Sequence, residues 1–544
     1  MKSKNFTFLM FGCIISGMLM AQGIIIQPGS FATIQQNAYI KTTGTAGLTL
    51  RSTSSGTGSL IDYNVAGGIS FLQTGTTTVE RYIPNDFKWH FLSSPVSNQD
   101  IWPQFAPDPG GDLAWGAAPY NWDFYYWNPM AEISRELYWV NLRKNASGAY
   151  NERTVDADNS DAGYGAATQS SPPEFTVGRG YLVAYNTNWT TGSPTTHIFT
   201  GTLSNGDKSI PIIYHADNSY NLVGNPYPSA IDWSAGGWTR TDLETSTGGG
   251  YDCWIWNDNL TTGNYGVCNS ITGSGTNGVS KYIPAGQAFF VKAKSTITTG
   301  AIGLTNIIQK HVSNLSQPWL KTGNNENNLL RLKISCDTNT YSDEMVVEFN
   351  PEFDEGGSDK FGSFYTEAPE IYSVKGGKNY SITRYKELNE QLIVDIATKT
   401  GIATAYKIQA VNINDFTLSG SIILKDLKTG ILTNLKQSGS YSFSGNPADD
   451  KNRFQLTLGA STGLETESTE QVNIYAIEKT VFLSNLDVNE HYDIIVSNIP
   501  GQKLKQTKLN GVSSSTIICN YTPGIYIVTL ISQGQITSCK VMLK

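Results

Sequence analysis

The sequence predicts an all-β, multidomain protein. Short runs rich in Val, Ile, Tyr and Phe alternate apolar with polar residues and are separated by Gly, Asn and Pro, a pattern typical of strands and turns. The composition agrees, since 53 Gly, 28 Tyr and 12 Trp accompany 15% charged residues. A chain of 544 residues allows several domains of ~100–200 residues. We expect a short β-helix-like N-terminal segment, tandem antiparallel β-sandwich-like units and a C-terminal Ig-like β-sandwich.

Residues 1–21 have the features of a signal peptide. Two lysines precede an apolar run from Phe6 to Met20, and the small residue Ala21 offers the cleavage point. No later run reaches the roughly 18 apolar residues that a membrane helix requires. We therefore expect a secreted or outer-cell-surface protein without a transmembrane segment.

Residues 22–80 form a separate opening segment. Short strand-like runs are broken by Pro-Gly, Gln-Asn and Thr-Gly turns, as in the successive rungs of a parallel β-helix. Two or three rungs would need a neighbouring domain to cover the open end. The alternative for this segment is a β-hairpin cap on that domain.

Residues 81–310 contain an internal duplication, which we divide into copy 1 (81–214) and copy 2 (215–310). Each copy carries an apolar strand that ends in Pro, an aromatic strand with Trp-Asn, and a strand that follows a Gly. The alternation within these strands predicts half-buried antiparallel sheets. The matching segments are 88–96 with 219–227, 123–128 with 252–257, and 178–184 with 286–292.

The remainder of the chain divides into two further β-domains. Alternating strands with intervening turns predict a β-sandwich over 328–458. Polar, low-complexity runs at 311–327 and 459–471 are predicted linkers. The last segment, 472–544, again shows β-branched runs separated by Gly, Asn and Pro.

The last segment carries a set of residues at defined places in its predicted strands and turns. They are Tyr475, Gly501, Gly524, Tyr526, Val528, Lys540 and Lys544. On these residues the segment resembles the type A C-terminal sorting domain of type IX secretion substrates in Bacteroidota, although the family's Pro-Asn-Pro turn is replaced here by the run 476–478. The resemblance implies the type IX secretion machinery as a partner and the outer cell surface as the destination.

The charge and motif content exclude several classes of function. A formal charge of −8 without a basic cluster argues against nucleic acid as a partner. The five histidines lie far apart, and neither a His-Glu-x-x-His nor a Gly-x-Ser-x-Gly motif is present. We therefore expect no enzymatic activity. A glycosidase-like carboxylate pair is the alternative, with candidates Asp100, Asp123, Glu174, Asp232 and Asp252.

Aromatic residues are the main candidates for ligand binding. Exposed indole and phenol rings stack on the apolar faces of sugars, so a polysaccharide or surface glycan is the expected ligand. The duplicated Trp127 and Trp256 are predicted core residues. The tryptophans in loop-like contexts are the candidate ligand-binding residues, namely Trp115, Trp122, Trp189 and Trp238.

Cysteines and acidic residues suggest two further features. In an oxidising compartment, Cys253 with Cys268 and Cys519 with Cys539 are candidate disulfides, and burial as free thiols is the alternative. Hard carboxylate ligands near a turn glycine make a Ca²⁺ loop a candidate, and a solvated loop is the alternative. Its ligands would be Asp156, Asp158 and Asp161.

Taken together, these patterns predict a non-catalytic binding or adhesion protein that is exported by type IX secretion. Glycan binding through aromatic faces of the duplicated units is the sharper hypothesis. A structural surface-layer or self-assembling component is one alternative. A glycoside hydrolase-like enzyme with an unrecognised carboxylate pair is the other.

Overall fold

A computed structural model of the chain forms two compact units, Met1–Ala460 and Ser461–Lys544. The structure describes residues 23–42, 47–64, 71–72, 76–102, 104–105, 120–131, 138–144, 150–154, 171, 173–185, 195–258, 263–312, 329–388, 391–413, 416, 420–459, 472–477, 479–484, 486–533 and 535–543. The predicted signal peptide lies outside these residues, as do Trp115, Trp189, Asp156, Asp158, Asp161 and Lys544. The described part of the chain holds no helix with the length and apolarity needed to cross a membrane.

The opening segment is a short stack of parallel strands. β1, β4 and β9 pair in parallel, as do β2 with β7 and β3 with β8. This arrangement matches the predicted β-helix-like segment. The strands are β1 (Ile24–Ile26), β2 (Phe31–Ile34), β3 (Ile40–Lys41), β4 (Leu48–Leu50), β5 (Ser52–Thr53), β6 (Gly56–Thr57), β7 (Ser59–Asp62), β8 (Phe71–Leu72) and β9 (Thr77–Tyr82).

Copy 1 contributes a sheet with the order β10-β15-β12-β13-β14. Its last long strand, β16, pairs antiparallel with β9 and so covers the edge of the β-helix-like stack. Residues of both segments, among them Leu48 and Phe124, share one core. The strands are β10 (His90–Leu92), β11 (Val96–Ser97), β12 (Tyr120–Trp127), β13 (Trp139–Lys144), β14 (Tyr150–Thr154), β15 (Tyr181–Val183), β16 (Thr196–Thr200) and β17 (Thr202–Leu203).

Copy 2 repeats this topology. Its main sheet has the order β19-β25-β22-β23, in which β19, β25 and β22 occupy the places of their sequence matches β10, β15 and β12. A short 3₁₀ turn, Asn306–Ile308, precedes the final strand. The strands are β18 (Lys208–Ile213), β19 (Tyr220–Gly224), β20 (Ala230–Asp232), β21 (Trp238–Thr239), β22 (Asp252–Asn257), β23 (Asn264–Asn269), β24 (Tyr282–Ile283), β25 (Ala288–Lys292), β26 (Thr299–Leu304) and β27 (Gln309–Lys310).

Strand β18 lies on the copy 1 side of the predicted boundary at residue 215. It pairs with β26 of copy 2, just as β9 pairs with β16 of copy 1. We therefore describe β18 together with copy 2. The sequences of β9 and β18 share only their alternation, so the segment matches that define the duplication do not reach this strand.

The two copies contact each other through their glycine-containing segments. Gly180 N donates to Leu222 O at 3.0 Å, and Gly224 N donates to Gly178 O at 2.8 Å. A Cβ atom on Gly180 would lie 2.5 Å from Leu222 Cγ, and one on Gly224 would lie 2.1 Å from Ser93 Oγ. Only glycine permits this approach of backbone to backbone.

The β-sandwich predicted over 328–458 is one continuous sheet around a single apolar core. Its order is β36-β35-β38-β33-β31-β32-β29-β28-β34-β37, and β30 also pairs with β32. The elements are β28 (Leu329–Cys336), β29 (Ser342–Phe349), β30 (Gly356–Asp359), β31 (Glu370–Lys375), β32 (Lys378–Tyr385), β33 (Leu392–Lys399), β34 (Thr404–Ala410), β35 (Ser421–Asp426), β36 (Leu432–Asn434), α1 (Leu435–Ser438), β37 (Ser440–Gly445) and β38 (Phe454–Gly459).

The C-terminal unit is a small sandwich of two sheets, β39-β40-β43 and β42-β41-β44-β45, with its own core. Of the predicted sorting residues, Tyr526 and Val528 are buried in that core, whereas Tyr475 and Lys540 lie at the surface. Gly501 has φ +88°, which a turn there requires. The strands are β39 (Asn473–Ile477), β40 (Thr480–Ser484), β41 (His491–Asn498), β42 (Lys503–Asn510), β43 (Ser514–Ile518), β44 (Gly524–Ser532) and β45 (Gln535–Leu543).

Candidate binding groove between the two copies

Ten described aromatic residues of the duplicated units pack in one buried or partly buried cluster, which we call the aromatic interface. It forms where the outer faces of the two main sheets meet each other and the 361–365 loop of the sandwich. Its rings are Trp89, Phe91, Tyr125, Trp127, Trp139, Tyr220, Trp254, Trp256, Tyr265, Phe290, Phe361, Phe364 and Tyr365.

The two duplicated tryptophans belong to this interface. Trp127 Nε1 donates to Tyr220 O at 2.7 Å, and its ring meets Phe290 edge to face with the centroids 5.0 Å apart. Trp256 is buried, with the centroid of Phe364 at 4.5 Å. The aromatic richness of the copies thus contributes to packing between domains, where each ring removes a large apolar area from water.

Trp238 is also held within the protein. Its ring meets Trp233 edge to face at 4.8 Å, and the Arg240 guanidinium lies 4.9 Å from its centroid. Its Nε1 donates to Asp232 O at 2.8 Å. This packing argues against Trp238 as an exposed sugar-stacking ring. The other three candidate ligand-binding tryptophans stay predictions, because Trp115, Trp189 and the side chain of Trp122 lie outside the described residues.

An open groove, which we call the junction groove, lies where copy 1 meets strands β18 and β19 of copy 2. Its cavity volume is about 180 Å³. The end of β12 and the turn before Gly178 form one wall, and copy 2 forms the other. The lining residues are Tyr126, Trp127, Asn128, Pro129, Thr176, Val177, Arg179, Ile210, Pro211, Ile213, Asn221, Leu222 and Val223.

Arg179 is the charged residue among those described lining residues. Its side chain is exposed, and its guanidinium lies 4.7 Å from the ring centroid of Tyr126. The side chain of Arg179 is also hydrogen-bonded to the side chain of Tyr181. Burial of that phenol raises the pKa of Tyr181. The arrangement sets one cation beside an aromatic wall at the mouth of a groove.

The duplication creates a second, related junction that is nearly filled. There Pro284 and Ala285, which match Thr176 and Val177, approach the buried Arg81 of β9. Residues of the β-helix-like segment also line it, and its cavity volume is about 30 Å³. Burial lowers the pKa of Arg81 to about 9. Of these two junctions, the one beside Arg179 is therefore the one with room for a ligand.

A set of buried charges joins copy 2 to the sandwich. Lys360 Nζ lies 2.6 Å from Asp343 Oδ2, and Asn277 of copy 2 donates to Asp343 Oδ1 at 2.8 Å. Arg331 pairs with Glu344 at 3.2 Å. Buried charges are tolerated only when paired and hydrogen-bonded, so this set fixes the relative position of the two domains.

Asp252 belongs to the same region. Its Oδ1 accepts hydrogen bonds from Asn269 at 2.8 Å and from Ser358 of the sandwich at 2.7 Å. Burial raises the pKa of Asp252 to about 6, against the lowering effect of those hydrogen bonds. Asp252 is the copy 2 match of Asp123, and in the structure it supports domain contact.

We expect Asp252→Asn to stabilise the protein at neutral pH. The amide oxygen keeps both acceptor bonds and carries no charge. Because the pKa of Asp252 is raised in the folded state, this carboxyl contributes most to the stability of the wild-type protein below about pH 4, where it is protonated in both the folded and the unfolded state. This contribution is lost as the pH rises through about 6, where the buried carboxyl becomes charged. The gain in unfolding free energy should therefore appear between these pH values and reach about 3 kcal/mol.

The measurement is the thermal midpoint of each protein from about pH 4 to about pH 8. Asp217→Asn is the matched control, because its carboxylate is largely exposed. A gain for Asp252→Asn that does not change with pH would contradict the titration of Asp252.

The remaining candidates stand as follows. Cys253 and Cys268 face each other across β22 and β23 as free buried thiols. Cys519 and Cys539 are also free in the structure, so both disulfides stay predictions. Among the described residues no cluster of three His, Cys, Asp or Glu side chains could hold a metal, and the Ca²⁺ loop lies outside them.

Among the carboxylates suggested for a hydrolase, the four with described side chains line neither groove, and the side chain of Asp123 lies outside the described residues. Asp100 and Glu174 face each other in an isolated antiparallel bridge, and both are exposed. Neither lines the junction groove or its smaller counterpart. Asp252 is buried and accepts a hydrogen bond from Ser358 of the sandwich.

Comparison with known proteins gives a family and distant structural neighbours. Residues 11–458 match the model of a domain of unknown function, DUF8693. No curated protein matches the sequence.

Three solved structures show weak likeness to the chain. One is the BSP domain of a biofilm-associated protein, with 9% identity, 86% of this chain and 92% of that chain covered, and a TM-score of 0.14. Another is a tetra-tandem repeat in the extending region of a large adhesion protein, with 11% identity, coverages of 74% and 91%, and a TM-score of 0.11. A Ca²⁺-stabilized adhesin that helps an Antarctic bacterium bind ice has 9% identity, coverages of 75% and 87%, and a TM-score of 0.10. TM-scores this low carry no inference for this chain.

Proposed function

Since the chain belongs to the DUF8693 family of domains of unknown function through residues 11–458, we propose its function from its own geometry: a non-catalytic binding or adhesion protein of the outer cell surface. The observation that carries the proposal is the junction groove. It is an open site with a cation and aromatic walls in a part of the molecule where most described rings are buried. Ligand sites generally combine an apolar wall with few polar groups.

The proposed ligand is a glycan, bound in the junction groove instead of on the aromatic sheet faces. Those faces are covered by the partner copy and by the 361–365 loop. In the groove, the half-buried ring of Trp127 and the apolar residues of β18 offer a wall for a sugar's apolar face.

We also propose export by the type IX secretion machinery. The supporting features are the sorting-domain residues and the separate core of the C-terminal unit. A folded module with its own core can serve as a sorting signal without disturbing the fold of the protein to which it is attached.

The groove is tested by filling it. Thr176 is exposed at the groove, so Thr176→Trp should occupy the space that a ligand needs. We expect the full-length wild-type protein to retain one or more polysaccharides in glycan-array and pull-down assays, and the variant to lose this retention. Thr202→Trp on β17 is the matched control, because Thr202 is exposed and does not line the groove.

Equal retention by Thr176→Trp and wild type would overturn the groove as the site. Failure of the wild type to retain any glycan would overturn the binding function. The self-assembling alternative would then be favoured, and it has an observation of its own. Ile525 and Met542 form an exposed apolar cross-strand pair on the C-terminal unit.

A further inference from the structure

We infer that the junction groove takes one carboxylate-bearing sugar residue of an acidic polysaccharide, with the sugar carboxylate on Arg179 and the ring against the aromatic wall. The inference rests on the proposed function and adds the chemical class of the ligand. Four features of the groove lead to it.

The first feature is the state of Arg179. Four other described arginines are paired with carboxylates, among them Arg331 with Glu344 at 3.2 Å and Arg453 with Asp426 at 2.8 Å, whereas Arg240 packs against tryptophan rings. No described carboxylate forms an ion pair with Arg179, whose guanidinium rests over the ring of Tyr126. A guanidinium is a planar fork that binds a carboxylate through two parallel hydrogen bonds.

The second feature is a difference between the copies. The matched segments read Gly178-Arg179-Gly180 in copy 1 and Gly286-Gln287-Ala288 in copy 2. Gln287 is buried, and its Nε2 donates to Phe91 O and Ala288 O at 3.3 and 2.9 Å. The residue that performs a packing role in copy 2 is thus replaced in copy 1 by an exposed cation at the open groove.

The third feature is the rigidity of the opposite wall. Asn221 joins β18 to β19, since its Oδ1 accepts from Ile213 N at 2.9 Å and its Nδ2 donates to Ile213 O at 2.8 Å. Trp127 is fixed by its hydrogen bond to Tyr220 O. A wall that is already ordered loses little conformational freedom when a ligand binds.

The fourth feature is size and shape. A volume of about 180 Å³ is below the ~300–1,000 Å³ of sites for drug-sized ligands, so the groove fits one ring of a longer molecule. An acidic sugar presents an apolar ring face and a carboxylate in one rigid unit, which meets both the aromatic wall and Arg179. An acidic peptide side chain would bring the carboxylate without a ring.

The test uses the full-length protein with three immobilised probes: polygalacturonate, its fully methyl-esterified form and polyglutamate. We expect retention on polygalacturonate and little on the other two. Arg179→Gln should weaken retention about tenfold or more, the scale of a hydrogen bond to a charged group. Arg179→Lys should recover only part of it, because an ammonium lacks the planar fork.

The control is Lys310→Gln, which removes an exposed cation outside the groove and changes the net charge equally. Equal retention of the esterified polymer, or unchanged retention by Arg179→Gln, would overturn the carboxylate assignment and leave glycan binding standing. Equal retention of polyglutamate would overturn the sugar assignment. A protein that binds no polysaccharide, acidic or neutral, would overturn the proposed function itself.

Discussion

Lys360→Met is expected to lower the free energy of unfolding of the larger unit by about 3–5 kcal/mol, because it leaves a buried carboxylate without its cation. Lys360 Nζ and Asp343 Oδ2 lie 2.6 Å apart, and the side chains are 4% and 0% exposed. Burial already raises the pKa of Asp343, and Lys360 opposes this effect. Methionine fills a similar volume, so the loss would come from charge and not from a cavity.

The effect should extend to the domain contact. Asp343 also accepts hydrogen bonds from Asn277 of copy 2 and from the backbone of Ile371. An unpaired carboxylate there would draw water or a proton into the contact between copy 2 and the sandwich. We therefore expect early loss of the near-ultraviolet signal of the aromatic interface, which lies in the same contact.

The measurement is the denaturant midpoint of the full-length protein, followed by near-ultraviolet circular dichroism. Lys375→Met is the matched control, because Lys375 pairs with Glu355 at 3.0 Å on the surface, where such pairs contribute about 0–1 kcal/mol. The double variant Asp343→Asn with Lys360→Met should recover part of the loss, since no charge is then buried. Indistinguishable midpoints for Lys360→Met and Lys375→Met would show that the buried pair does not hold the contact.

The all-β character of the copies was predictable because their key strands are marked by local sequence. Period-two alternation separates Phe124 and Tyr126 from Tyr125 and Trp127, and the structure buries the first pair in the core of copy 1. The second pair lies in the aromatic interface. What covers that second face depends on residues more than 100 positions away, such as Phe361. Alternation along one strand carries no information about such a partner.

The binding groove was not predictable for a related reason. Its walls come from the end of β12, the turn before Gly178 and two strands of copy 2, which are distant in sequence. A usable signal was nevertheless present. Within otherwise matched segments, Arg179 replaces Gln287, and a charge gained at one copy of a duplicated position points to a role that the other copy lacks.

Deletion of residues 472–544 is expected to abolish delivery to the cell surface and to leave a folded protein in the periplasm. The C-terminal unit has its own core, in which Val528 and Leu483 are fully or almost fully buried, and the cores of the larger unit consist only of residues from 23–459. The truncated protein should therefore keep the thermal midpoint of the larger unit. The predicted signal peptide would still direct it across the inner membrane.

The measurement is cell fractionation combined with protease accessibility on intact cells. Fusion of residues 472–544 to a periplasmic reporter is the reciprocal control, and the reporter should reach the surface. Lys540→Ala separates recognition from folding, because Lys540 is exposed on β45 and its loss leaves the core intact. Reduced delivery of a stable Lys540→Ala protein would locate recognition at the basic last strand. Normal surface delivery of the truncated protein would show that residues 472–544 do not act as the sorting signal. The sorting signal would then have to lie within the larger unit.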